Sequence, residues 1–376
     1  MSIHYDKIPS PCYVLEEEKL LKNLELLKQV QEAAGIHIIC ALKGFSFHAV
    51  FPTLKKYLHG ATASSLHEAK LVYDKMGVKA HTYCPVYIPE DFEEIQKISS
   101  QLTFNSLSQW ELYKDKVDSS ISCGLRVNPG YSEITTELYN PASPNSRLGI
   151  PHQLMGDALP EGIEGIHFHA LCENTSHTLE RVLDSFIKLY HPLIQQAKWI
   201  NMGGGHYITR KDYEPDHLIQ LLKNFKAKYP NIEEIILEPG SAIGWQTGVL
   251  VSTILDIVPN GEIPTAMVDV SFTCHMPDTL EMPYKPNIEG QVESSPYRYN
   301  MGGMSCLAGD YVGSWCFDKE LKTGDKIIFE DMIHYTMVKT STFNGINLPS
   351  IGIWKKEGTF ELLRSFGYDD YQKRLS

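Results

Sequence analysis

The sequence predicts an α/β protein, an N-terminal (β/α)8 barrel of the TIM kind followed by a C-terminal all-β domain. Three observations carry this. Residues 36–244 repeat one unit: a short apolar, β-branched run, then polar or Gly residues, then a helical pattern. Several of the runs are apolar throughout, as strands covered on both faces should be. After Gly244 the texture changes to β-rich segments separated by Pro, Gly and Asn, with little helical periodicity.

Near the N-terminus PCYVL can supply a strand to the β domain. LEEEKLLKNLELLKQVQEAAG (15–35) reads as a long amphipathic helix stopped by Gly35. The candidate barrel strands are IHIICALK (36–43), HGATASS (59–65), KAHTYCPV (79–86), QLTFNS (101–106), SCGLRVNP (122–129), EGIHFHAL (164–171), AKWINMGGG (197–205) and EEIILEPG (233–240). Amphipathic stretches such as LHEAKLVYDKM (66–76), PEDFEEIQKI (89–98) and TLERVLDSFIKLYHPLIQQ (178–196) lie between them. Eight alternating units favour a closed barrel over an open doubly wound sheet. GVLVSTILDIV, TAMVDVSFTCHM and DKIIFEDMIHYTMVKT then build the β domain. The expected boundaries are 16–244 for the barrel and 1–15 plus 245–376 for the β domain.

The 376 residues, 43% hydrophobic and 21% charged, suit a protein that buries a sizeable core. Eight scattered cysteines without a C-x-x-C argue against a zinc ribbon or a thioredoxin-like pair. A net charge of −12 disfavours nucleic acid and mildly favours cationic ligands. There is no apolar run of about 18 residues and no secretory h-region, so no membrane partner and a cytoplasmic location are expected.

Barrel active sites lie where the strands end. The first run ends in Lys43, partly desolvated and so able to do Schiff-base chemistry. On spacing alone, a snorkelling or ion-paired lysine reads better. The seventh ends in Gly203-Gly204-Gly205, whose amides can approach a phosphate or merely form a tight turn. The eighth ends in Glu238, a partner for a protonated ring nitrogen or for a salt bridge inside the barrel. His167 and His169 share a strand face. A metal role lacks a matching Asp or Cys, so no metal is expected, and stacking on a flat cofactor is the better reading. Each feature is weak alone; together they describe a pyridoxal-phosphate pocket.

The order of Lys43 in ALKGFS, His169 in HFHALCEN, NMGGGHY and Glu238 in LEPGSAIG resembles the alanine-racemase-fold (fold type III) pyridoxal-phosphate decarboxylases, which include the diaminopimelate, ornithine and arginine enzymes. GMSCLAGD, with Cys306 and Asp310, and MIHYTM, with Tyr335, extend the resemblance over nearly the whole chain. Within that group, ALKGFS, NPASPNSRLGI, HALCENTS and MPDTLEMPY look most like the carboxynorspermidine/carboxyspermidine decarboxylases. The resemblance implies pyridoxal 5'-phosphate as cofactor, a carboxylated polyamine as substrate and a homodimer with shared active sites. By matched position, Lys43 would attach the cofactor, His169 stack on its ring and Glu238 pair with its ring nitrogen. Arg126 would sit near the phenolic oxygen. Gly204, Gly205, Gly240, Ser241 and Tyr335 would hold the phosphate. Cys306 would be the proton donor, and Arg147, His275, Asp278, Glu281 and Asp310 would contact substrate. Ser241 stands where some relatives have arginine and Cys172 where they have serine, which shifts phosphate binding toward backbone N–H groups. The segment from Pro277 to Glu281 replaces one in which diaminopimelate decarboxylases carry an arginine, and its two acids suit a distal ammonium. The alternative for Asp278 and Glu281 is a solvated surface loop. The rival functions are another basic amino-acid decarboxylase of this fold, a racemase, and a non-catalytic cofactor-binding protein.

Overall fold

The computed structural model describes residues 3–376. They form two compact units, one running up to Lys22 and again from Gly244 to Ser376, the other Asn23–Ile243. Strand β1 (Cys12–Glu16) leads into helix α1 (Glu17–Ala34), which ends where Gly35 takes a left-handed φ of 64°.

In the Asn23–Ile243 unit eight parallel strands close into a barrel in sequence order. They are β2 (His37–Ala41), β3 (Gly60–Ala63), β4 (Ala80–Tyr83), β5 (Ser99–Phe104), β6 (Ser122–Arg126), β7 (Ile163–His167), β8 (Trp199–Asn201) and β9 (Glu234–Leu237). All eight expected strands are present. Most are shorter than their apolar runs because the last residues of the run leave the ladder to form the rim. Closure is made by β2 against β9, through His37 opposite Ile236 and Ile38 opposite Leu237. The helices are α2 (Phe51–Leu54), α3 (Leu66–Leu71), α4 (Pro89–Lys97), α5 (Leu107–Tyr113), α6 (Ser176–Ile194), α7 (Pro215–Lys228) and α8 (Ser241–Gly244), the last reaching the edge of the unit. Between β6 and β7 only two 3-10 turns, Glu137–Tyr139 and His152–Leu154, occur among the described residues. Pro129, Pro141, Pro144 and Pro151 break that segment.

Trp199 fills the barrel interior beside Ile39 and Ile236. Room for it comes from two glycines: a Cβ on Gly165 would lie 1.9 Å from the indole and one on Gly124 2.2 Å away. The indole N–H donates to Ser122 Oγ at 2.8 Å, so the large ring is buried without an orphaned donor. Outside the barrel, Tyr87, Phe92, Phe104, Trp110 and Tyr113 form an aromatic cluster that seats α4 and α5.

The other unit is a nine-stranded sheet. It contains β1 with β10 (Gly248–Val258), β11 (Thr265–Val268), β12 (Gln291–Val292), β13 (Tyr297–Gly302), β14 (Tyr311–Phe317), β15 (Lys326–Glu330), β16 (Ser350–Trp354) and β17 (Phe360–Arg364). Strand β1 lies between β10, antiparallel, and β16, parallel. The unit is mostly sheet, yet it carries short helices that periodicity does not reveal: α9 (Phe272–His275), α10 (Asp278–Glu281), α11 (Tyr335–Val338) and α12 (Tyr368–Leu375). Ser271 Oγ caps α9 by accepting from Cys274 N at 3.0 Å, and Pro277 precedes α10. No helix among the described residues is long and apolar enough to cross a membrane.

Candidate active site

The strand ends form a pocket lined by Ala41, Leu42, Lys43, Thr62, Ser64, Tyr83, Arg126, His167, His169 and Glu238. Lys43 sits on a tight turn just past β2. The amides of Gly44 and Phe45 both donate to Ala41 O, and Leu42 N donates to Thr62 O. A Cβ on Gly44 would come within 2.9 Å of Gly240 Cα, so glycine at both positions lets the Lys43 turn and the loop after β9 touch backbone to backbone. The surface that Lys43 exposes faces this pocket. Desolvation there, and next the nearby Arg126, lower its pKa, while Glu238 opposes them. A larger share of neutral, nucleophilic amine results.

Glu238, 8% exposed, follows β9 directly. Its Oε1 accepts from Asn201 Nδ2 at 2.7 Å, and Asn201 Oδ1 accepts from Gly203 N at 2.9 Å. Burial raises the carboxyl pKa; the Asn201 hydrogen bond, Lys43, Thr62 and Arg126 pull it back. One amide side chain thus ties the carboxylate to the glycine loop.

His167 ends β7 and His169 lies two residues beyond, so both reach the pocket. Gly204 N donates to His169 Nδ1 at 2.9 Å, which makes Nδ1 the acceptor and leaves the proton on Nε2. Burial, with Lys43 and Arg126 adding to it, holds both imidazoles well below their ordinary pKa, so both are neutral. Gly203 and Gly205 have φ of 69° and 85°. A Cβ on Gly204 would meet Glu238 O at 2.4 Å, and one on Gly205 would meet Leu171 O at 2.1 Å. The triplet therefore exists for close backbone approach on both sides.

Arg126 is 4% exposed, its guanidinium carbon 4.7 Å from the centre of the Tyr83 ring. Its Nε and Nη2 have no hydrogen-bond partner among the described residues. Idle buried guanidinium donors are costly and call for an oxygen acceptor from outside the protein. An anionic cofactor with a phenolic oxygen answers that need, so the residues fit pyridoxal phosphate. Gly240 and Ser241 lie beside the Lys43 turn, Ser241 N being 3.2 Å from where a Gly44 Cβ would stand. Arg147 is exposed; its carbonyl accepts from Asn105 Nδ2, and Asn105 Oδ1 accepts from Tyr83 OH.

Sequence reasoning missed Thr62, Tyr83, Asn201 and Gly44. It also missed Glu68, whose carboxylate accepts from Ser64 N at 2.6 Å and helps to hold up the Lys43 pKa. A readable signal existed for Glu68: Ser65-x-x-Glu68 is a capping-box pattern, and Ser65 Oγ accepts from Glu68 N.

The remaining candidates lie in the sheet unit. Cys306 is exposed, its amide bonded to Asn344 Oδ1 at 2.8 Å. Asp310 is buried and accepts from Thr273 N and Ser305 N, so it braces the loop that presents Cys306. His275 is fully buried; its Nδ1 accepts from Ser271 N, and burial lowers its pKa to about 4. Asp278 and Glu281 belong to α10, so they are not on an irregular loop. Asp278 Oδ2 accepts from Thr336 Oγ1 at 2.8 Å and from Tyr284 OH at 3.1 Å, whereas its buried Oδ1 has no partner among the described residues. Glu281 is ion-paired with Lys339. Tyr335 opens α11.

A family model for the pyridoxal-dependent decarboxylases, described by their C-terminal sheet domain, matches residues 12–333. The chain is 47% identical to a carboxyaminopropylagmatine decarboxylase of Synechocystis sp., over 98% of this chain and 96% of the relative. It is 43% identical to a carboxynorspermidine/carboxyspermidine decarboxylase of Campylobacter jejuni, over 98% and 99%. A crystal structure of the Campylobacter jejuni carboxynorspermidine decarboxylase complexed with norspermidine superposes with a TM-score of 0.91 at 41% identity, covering 98% of this chain and 100% of that one. A pocket that fits the cofactor, on a barrel matched over its full length, leads to one conclusion: the chain belongs to the pyridoxal-dependent decarboxylase family.

Proposed function

We propose that this enzyme decarboxylates a carboxylated polyamine, carboxynorspermidine or carboxyspermidine, to norspermidine or spermidine. The observation that carries this reading is the full-length likeness to the Campylobacter jejuni structure with norspermidine bound. Pyridoxal phosphate, when bound, supplies an aldehyde carbon for amines and a protonated ring that draws electrons from the substrate α-carbon.

The chain's own residues do the rest. Lys43 offers an amine whose proton is already weakly held. Glu238 offers its carboxyl group to the ring nitrogen, its pKa raised by burial and pulled back by Asn201, Lys43, Thr62 and Arg126. His169 presents a flat neutral ring, and the idle donors of Arg126 take the phenolic oxygen. The loop at Gly204 and Gly205, with the amides of Gly240 and Ser241 and with Tyr335, would hold the phosphate. The exposed thiol of Cys306 returns a proton to the α-carbon, on a loop braced by Asp310. The unpartnered oxygen of Asp278 suits a distal cation, with Arg147, His275 and Glu281 as further substrate contacts. The proposal includes a homodimer in the cytoplasm, with Cys306 of one copy serving the site of the other, as the family resemblance implies.

The Synechocystis relative supports a second reading, a carboxylated substrate whose far end is a guanidinium. Carbon dioxide release by the cofactor-loaded enzyme should be compared across carboxynorspermidine, carboxyspermidine, carboxyaminopropylagmatine, diaminopimelate and ornithine. A kcat/KM at least tenfold higher for the first pair supports the proposal. The same margin for carboxyaminopropylagmatine supports the second reading, and preference for diaminopimelate or ornithine overturns both.

A further inference from the structure

His177, Glu180 and His217 each offer a ligand atom, and these atoms all lie within 4.8 Å of one another. His177 and Glu180 are three apart on α6 and share a face; His217 comes from the first turn of α7. His177 Nε2 is 3.0 Å from Glu214 Oε1, which puts the proton there and leaves the Nδ1 lone pair. His217 Nδ1 is 2.9 Å from the buried Ser176 Oγ; with Nδ1 donating, the lone pair is on Nε2. Both free nitrogens face Glu180 Oε2, from 3.9 Å for His177 and 3.5 Å for His217. Those separations are long for hydrogen bonds. The His217 separation matches the ~3–3.5 Å between two atoms that share a cation at about 2.1 Å, and the His177 separation is a few tenths of an ångström longer. The imidazole centroids are 3.9 Å apart, an unfavourable stack for two protonated rings.

We propose that His177, Glu180 and His217 form a site for a divalent transition metal, Zn2+ foremost, with water completing the coordination. Histidine and carboxylate ligands suit a borderline metal, and Glu214 and Ser176 supply the outer partners that fix each imidazole tautomer. The positive ends of α6 and α7 oppose a cation here, and Glu180 and Glu214 offset them. The place of the site gives it a use. The loop before α6 carries His169, and the loop before α7 carries the glycine triplet. The two are already joined by Asn174 N donating to Gly205 O at 3.0 Å. A metal held by both helices clamps these loops together. The triad is not visible in the sequence: only His177-x-x-Glu180 is local, and His217 arrives through the packing of α6 against α7.

The test uses the cofactor-loaded protein, stripped with a chelator and titrated with Zn2+ against a chromophoric competitor. One equivalent should bind, with the melting temperature rising on addition and falling on chelation. H217A and E180A should bind at least tenfold more weakly, and S176A and E214Q roughly tenfold. Cofactor absorbance and circular dichroism verify that each variant is folded. Co2+ bound to the unaltered protein should show ligand-field bands without thiolate charge transfer, a readout independent of any variant. Absence of a tight equivalent, binding unchanged in folded H217A, or a thiolate signature each overturns the site.

Discussion

Asn201→Ala removes the side chain that bridges Glu238 and the glycine loop. Two hydrogen bonds go: the charge-assisted bond from Asn201 Nδ2 to Glu238 Oε1 at 2.7 Å and the bond from Gly203 N to Asn201 Oδ1 at 2.9 Å. The first is worth about 1.5–3 kcal/mol, and the orphaned Gly203 amide costs about 1–3 kcal/mol more. Water entering the space left by the amide recovers part of this, so a net destabilisation of about 2–4 kcal/mol is expected, read from urea midpoints. The functional effect has its own sign. The Asn201 bond favours the ionised Glu238, so losing it raises the Glu238 pKa further in the direction burial already pushes it. At about 1.4 kcal/mol per pH unit, the acid limb of kcat/KM should move up by roughly one to two pH units, while the alkaline limb stays in place. Asn201→Asp sets a second carboxylate against the first and should move the same limb further. An acid limb that stays put in a destabilised Asn201→Ala enzyme would show that Asn201 supports the loop without tuning Glu238.

Gly165→Ala drives a Cβ to 1.9 Å from the Trp199 indole and should cost about 3 kcal/mol or more, with Gly165→Ala/Trp199→Leu recovering much of it in thermal melts. Cys306→Ala should retain cofactor absorbance yet turn over poorly or form a wrong product, as product analysis by mass spectrometry would reveal; normal turnover with clean product refutes the proton-donor role. Glu133 accepts from Arg181, Tyr131 and Thr178, and the Arg181 bond foremost pulls its pKa down to about 2. A depressed carboxylate pKa means stability present above the ordinary value and lost as pH falls toward 2. Because the group is solvent-screened, Glu133→Gln should cost only about 1 kcal/mol at pH 7, and the gap from the parent should narrow at pH 3.

The barrel was legible because its strands are covered on both faces, so each reads as an apolar run of its own, and α6 announces itself through a long apolar stripe. The site residues that end those runs were legible for the same reason: Lys43, the triplet and Glu238 are where polarity interrupts them. Asn201, Thr62 and Tyr83 were not, because they sit inside apolar stretches and look like strand filler until the barrel curves them toward one point. Gly44 was hidden for a different reason: its requirement is set by Gly240, far away in sequence, and a lone glycine after a lysine carries no such message. In the sheet unit, α9 and α10 escaped notice because four-residue helices are made by a cap and a proline rather than by periodicity.

The contact of Gly44 with Gly240 joins the first barrel strand to the last. Lys43 therefore rides on the first segment of the barrel to be synthesised and Glu238 on the last, and nothing local in the chain brings them together. Until β9 docks on β2 the molecule has a lysine and a carboxylate but no place where they meet, so a partly folded barrel has no use for its cofactor. The complete pocket, with lysine and carboxylate facing one another, is therefore a property of the closed ring and of no shorter segment of it.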